Sequence, residues 1–296
     1  MLQVHWLVPI VLYIVLAYIG IRWMQKKIVD LHSKTKRLFL NFLFCALFAI
    51  TFAVVMGHVI FNTMTLIIFG IGILNGVANY ASWKATSISL SRTSLFSFVD
   101  DIIPMALSYA ILGEGQFLNT FSEWGIALCF LATILFVRHS YKKEGRASLV
   151  FFVYVAVYSI IWGIANFSAR YSAVSGVPVG QFLMSWYIGS FVTATLLVLL
   201  YKDPDEKPGR MPALAARDVL VMFVYAGGIA LCLAIEFWAL TLAPQTLVQP
   251  IFLVAEATIP TVIGLTIFKE RSTFDRAQWC FAALGMLGVI LIAFSY

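Results

Sequence analysis

Charge is what this sequence has least of. Only 11% of its 296 residues are Asp, Glu, Lys or Arg, where a soluble domain carries about 25%, and that deficit excludes an ordinary water-facing surface. Cysteine is scarce too. Cys45, Cys129, Cys232 and Cys280 all fall inside apolar runs, with no Cys-x-x-Cys pair and no neighbouring histidines, so neither a disulfide framework nor a metal centre is indicated. Gly-x-Ser-x-Gly, His-Glu-x-x-His and a Gly-rich phosphate loop are missing, and the four histidines are scattered. Those absences remove the common hydrolase, metalloprotease and nucleotide-driven classes. No enzymatic activity, cofactor or metal is expected. Period-two alternation is also absent, and the apolar runs are too long for the strands of a transmembrane barrel.

What is present is apolar: 61% hydrophobic residues, 15% aromatic, and a mean hydropathy of +0.93. A helix rising about 1.5 Å per residue needs about 20 residues to cross a hydrocarbon core of about 30 Å. Ten runs suffice: 3–23, 38–61, 64–83, 90–112, 119–138, 148–170, 178–200, 217–241, 244–268 and 275–295. The expected fold class is all-α, a polytopic membrane protein whose surroundings are a lipid bilayer.

A net charge of +6 would suggest a nucleic-acid partner for a soluble protein. Here nineteen of the 20 Lys and Arg collect around the odd-numbered loops, Arg22 and Lys84 among them, and only Arg170 falls beside an even one. Nucleic acid is therefore not an expected partner. By the positive-inside rule the odd loops are cytoplasmic and both termini lie outside, as in a bacterial inner membrane. The first run has no positive residue before it and no small-x-small cleavage site, so it reads as an outside-to-inside span rather than a cleaved signal.

Laid on itself with a shift of 156, the sequence matches Asp100-Asp101-Ile102-Ile103-Pro104 to Glu256-Ala257-Thr258-Ile259-Pro260, Gly72 to Gly228, Phe96 to Phe252 and Glu114 to Glu270. This divides the chain into repeats at 1–140 and 141–296, each of five spans, within one membrane domain. Five is odd, so the second copy enters the membrane upside down. Inverted repeats are a mark of secondary transporters, whose substrate site lies near midplane between the halves.

Carboxylates in mid-span are costly in hydrocarbon and face a bundle interior or a wet cavity, which makes Asp100, Asp101 and Glu256 the central candidates. Gln245, Gln249, Phe252, Glu256 and Pro260 follow one another at helical spacing on a single face, and Ser89, Thr93, Phe96, Asp100 and Pro104 match them. Asn79, Trp162 and Asn166 extend the set. Such acids are suited to exchanging protons or holding a cation; the plainer alternative is that they only fix helix packing. Glu114, Glu236 and Glu270 read as interfacial, and Trp186 and Tyr187 as packing residues.

Residues 91–137 and 246–294 each read as a span with a mid-helix proline, a Glu near its end, a short linker and a Gly/Ala-rich final helix, and Trp162-Gly163 looks like the start of a second repeat. In these features the chain resembles the EamA-like ten-span members of the drug/metabolite transporter superfamily. The resemblance implies two inverted five-helix repeats around a central cavity, and export or facilitated passage of amino acids, amines, nucleosides or drugs. Many such relatives keep both termini in the cytoplasm, unlike the expectation from charge here. Small four-span relatives keep an essential Glu in their first helix, where this chain has none. The expected function is thus secondary transport of a small polar organic metabolite, with protons as a coupling partner. A quaternary-cation efflux carrier and a non-transporting ligand sensor or scaffold are the alternatives.

Overall fold

The computed structural model describes residues 5–29, 34–97, 99–144, 148–200, 216–269 and 275–296, and every regular element among them is helical. Ten helices are long and apolar enough to cross a membrane: α1 Leu7–Val29, α2 Lys34–Val55, α3 Thr63–Ile88, α4 Leu90–Ile111, α5 Thr120–His139, α6 Leu149–Val174, α7 Val179–Leu200, α8 Ala216–Leu242, α9 Gln245–Thr266 and α10 Arg276–Ser295. All ten expected runs recur. Arg146, Lys202, Lys207, Arg210, Glu270 and Arg271 lie outside the described residues.

The ends are set by local chemistry. Asn62 and Asp275 open α3 and α10 with reciprocal capping boxes to Thr65 and Gln278, which satisfy backbone donors that a helix start leaves free. At the close of α2, Gly57 takes φ +67, so that His58 N–H donates to Ala53 O at 2.8 Å; Gly176 does the same after α6, with Val177 N–H on Ser172 O at 3.0 Å. Only glycine adopts that backbone without cost.

Two spans depart from regular α-helix. Within α1, Ile14–Ile21 is π-helical. The span also runs past its apolar stretch to Val29, because Arg22, Gln25 and Lys26 are buried against other helices rather than standing in a loop. In α4, one helix ends at Phe96 and a second starts at Val99, with Ser97 O accepting from Asp100 N–H at 2.8 Å. The interruption therefore falls just before the two aspartates and not at Pro104, which sits inside the second piece. Pro250 and Pro260 likewise lie inside an uninterrupted α9.

Helix α3 packs on α6 and α7, α2 on α7 and α8, α4 on α6 and α9, α1 on α8 and α9, and α5 on α10. Small residues allow the closest approaches. A Cβ added at Gly72 would run into the Trp186 carbonyl, one at Gly189 into the Phe69 carbonyl, and one at Gly288 into the Gly125 carbonyl. Such small-residue seams are how helices associate where lipid removes the hydrophobic drive between them. Helix α9 is the central post: 78% of its apolar stretch is buried, against 50% or less for every other span. Outward-facing Phe61, Leu66, Leu149, Leu199 and Phe294 belong to an apolar belt far larger than a water-soluble monomer exposes.

Polar ties close the bundle at its ends. Arg170, expected beside a loop, lies within α6; its Nε donates to Glu114 Oε1 at 2.6 Å and its Nη1 to Leu240 O, while Glu114 Oε2 accepts from Thr246 N–H at 3.0 Å. Glu114 is thus a buried junction of four helices and not the interfacial residue its place at a span end suggested. At the opposite end Arg37 pairs with Asp218 at 3.5 Å, His139 meets Asp275 at 2.8 Å, and Lys26 Nζ donates to Thr86 O at 3.1 Å.

Gly189→Leu is expected to wedge α7 from α3 and cost about 1–3 kcal/mol. The measurement is the melting midpoint and monodispersity of the purified variant; Gly70→Leu, with open space around it, should leave both unchanged.

Candidate functional site

Between the helices lies a cavity of about 150 Å³, the size of one known to take a benzene molecule. Its anionic wall comes from α4, α8 and α9: Asp100, Asp101, Glu236 and Glu256 all line it. Three of these acids are gathered closely. Ligand-capable oxygens of Asp100, Asp101 and Glu256 lie within 4.8 Å of one another, and all three residues are buried.

Among the described residues, Arg22 of α1 is the one cation lining the cavity. Its Nη2 pairs with Glu256 Oε1, its Nη1 donates to Gln25 Oε1 at 3.2 Å, and its guanidinium lies 5.8 Å from the centre of the Trp162 ring. Ser97 Oγ adds a second donor to Glu256 Oε1 at 3.1 Å. Four carboxyl groups thus share the cavity with a single guanidinium.

The two aspartates differ from Glu256 in being under-supplied. Asp101 Oδ1 accepts from Gln249 Nε2 at 2.6 Å, but Asp101 Oδ2 and Asp100 Oδ1 are buried without a hydrogen-bond partner. Gln249 ends a chain of donors along α9: Ser108 Oγ donates to Gln245 Oε1 at 2.7 Å, Gln245 Nε2 to Gln249 Oε1 at 3.2 Å, and Gln249 onward to Asp101. Every link points toward the carboxylate, an arrangement in which successive bonds polarise one another.

The remaining walls are aromatic and amide. Tyr13 packs on Phe252 with ring centres 4.6 Å apart and meets Tyr18 edge-on at 5.6 Å. Across from them Trp162 Nε1 donates to Asn75 Oδ1 at 2.9 Å, Asn79 Nδ2 to the same oxygen at 2.9 Å, and Asn75 Nδ2 to Ser190 Oγ at 2.8 Å. These ties fix the indole whose ring the Arg22 guanidinium overlies.

Of the residues singled out in the sequence, Asp100, Asp101, Glu256, Gln249, Asn79, Trp162 and Asn166 line this one cavity. Gln245 stands one turn back in the donor chain, and Thr93 is turned away, its hydroxyl donating to Ser89 O and its carbonyl accepting from the Tyr158 hydroxyl. Glu236 is 5% exposed and lines the cavity, which corrects its interfacial reading; Tyr225, Ile229 and Cys232 precede it on the same face, a spacing that carried the signal. Trp186 and Tyr187 line the cavity as well. Arg22 and Gln25 were missed, because they stand where the apolar run ends and the basic cluster begins.

No family profile and no curated protein matches this chain. Solved structures do: 26 chains match, among them one described only as "Crystal structure of protein", with a TM-score of 0.67, 16% identity, and coverage of 97% of this chain and 95% of its own. At that identity the likeness is one of fold, shared over nearly the whole length.

Removing one partner of a buried pair leaves the other charge uncompensated, so Arg22→Ala is expected to cost about 3–5 kcal/mol. Adding Glu256→Gln should return much of that loss. Thermal melts of the two single variants and the double variant give the coupling directly; strictly additive losses would mean the pair does not hold α1 to α9.

Proposed function

We propose that the protein is a secondary carrier, which takes a small polar organic metabolite into its central cavity and passes it across the membrane by alternating access. The observation that carries this reading is the convergence of Asp100 and Glu256 on one cavity inside the bundle. They are the acids that the 156-residue shift matches to each other. Charged groups inside a bundle, around a cavity and away from lipid, are characteristic of transport pathways.

The packing supports two inverted repeats. Exchanging each helix with its counterpart five spans on maps neighbours onto neighbours: α3 on α7 becomes α8 on α2, α3 on α6 becomes α8 on α1, and α4 on α6 becomes α9 on α1. Helices α4 with α9, α5 with α10, and α2 with α7 pack against their own counterparts, as elements beside a twofold axis do. The interrupted α4 beside the aspartates fits the discontinuous helices of carriers. The resemblance of 91–137 and 246–294 to EamA-like transporters points the same way.

In this reading the gates are two polar ties, Arg170 with Glu114 at one end of the bundle and Arg37 with Asp218 at the other. In a carrier these open in turn. Protons are the coupling partner this reading assigns, with the acid cluster trading a proton for cargo. The membrane is a bacterial inner membrane with the odd loops cytoplasmic and both termini outside.

Reconstituted in proteoliposomes, the protein should support saturable counterflow of a solute found by screening, and Asp100→Asn with Glu256→Gln should abolish it. Undiminished flux in that double variant would defeat the role given to the acids; saturable binding with no counterflow would make the protein a sensor. A periplasmic reporter, such as alkaline phosphatase, fused after Tyr296 should be active, and an inactive fusion with a soundly folded carrier would invert the topology.

A further inference from the structure

The cavity's one guanidinium displays how this site holds a cation. Arg22 has a carboxylate on one side in Glu256, an amide oxygen on another in Gln25, and the face of Trp162 5.8 Å away. Carboxylate, neutral acceptor and aromatic face together are the contacts by which proteins bind organic cations. Arg22 is therefore a tethered occupant of a cation-binding wall, and it answers only one of the carboxylates there.

Beside it the wall is incomplete. Asp100 Oδ1 and Asp101 Oδ2 are buried acceptors without a donor, on residues 3% and 4% exposed that line the cavity. Leaving such oxygens unpaired costs more than an ordinary missing hydrogen bond, because both belong to groups able to carry charge. What they lack is a donor, and beside a cluster of three carboxyl groups with one guanidinium a positively charged donor makes the strongest hydrogen bond. The rings of Tyr13 and Tyr18 stand alongside, and a volume of about 150 Å³ limits the guest to roughly one small ring or an equivalent chain.

We propose that the guest is a compact organic cation, whose ammonium donates to Asp100 Oδ1 and Asp101 Oδ2 while its apolar part lies among the rings, and that Arg22 is a built-in competitor for the same anionic cluster. This rests on the carrier reading for the guest's passage across the membrane, but its recognition stands on the cavity alone. Competition of this kind keeps Glu256 paired while the site is empty and lets the incoming cation share it once Arg22 swings aside.

The test is a charge series on one ring: benzylammonium, benzyl alcohol and benzoate, titrated into the full-length protein in lipid nanodiscs and followed by calorimetry and by the fluorescence of the cavity tryptophans. Benzylammonium should bind saturably, and the other two at least about tenfold more weakly. Asp100→Asn and Asp101→Asn should each weaken benzylammonium about tenfold with no effect on benzyl alcohol. Arg22→Gln should tighten it by freeing Glu256, whereas Arg22→Lys should not. If Arg22→Gln fails to fold, the charge series and the two Asn variants decide. Absence of benzylammonium binding, equal binding of benzoate or benzyl alcohol, unchanged affinity in both Asn variants, or weaker binding to a folded Arg22→Gln protein would each overturn the proposal. Selective cation binding without counterflow would sink the carrier reading and keep this one; flux of a neutral or anionic solute with no cation bound would do the reverse.

Discussion

A charge inside a helical bundle has no water to solvate it, so each one must find its counter-charge across a helix interface. In this protein that constraint falls on α9. Its Glu256 is tied to Arg22 of α1 and to Ser97 of α4, while its Gln249 holds Asp101 of α4. The central helix is thereby joined to both of its polar neighbours across the cavity itself. The side chains that line the cavity are thus also the ones that tie its helices together.

The cavity is built asymmetrically around that core. One wall, from α4, α8 and α9, supplies carboxyl groups; another, from α3 and α6, supplies Asn75, Asn79, Trp162 and Asn166, the first three bonded among themselves and to α7 through Ser190. On the acid wall Asp100 Oδ1 and Asp101 Oδ2 are buried without a donor.

Much of this could be read from residues alone, for a definite reason. A lone Asp or Glu in an apolar run has few explanations, so Asp100, Asp101 and Glu256 stood out. Spacing by fours then attached Gln245 and Gln249 to the same face, and the bundle brings them together as a donor chain. Spacing could not say which faces look inward: Thr93 shares the periodicity of Asp100 yet turns back onto its own helix. Arg22 was hidden by its surroundings. Standing next to Lys26 and Lys27, it reads as one of a loop's basic residues, and only the continuation of α1 to Val29 places it inside. Glu114 and Arg170 were each visible, but they stand 56 residues apart in sequence, and nothing local links them. The π-helical Ile14–Ile21 left no periodic trace, because every residue in it is apolar or small.

The glycine seams have a mechanical meaning of their own. Where a backbone carbonyl rests directly on a glycine, as between α3 and α7 or α5 and α10, the layer of side chains that elsewhere cushions neighbouring helices is gone. Such pairs have little freedom to slide or turn on each other and behave as stiff two-helix ribs. Deformation of the bundle is then left to the softer seams around α1 and α4, where long side chains and an interrupted helix separate the ribs.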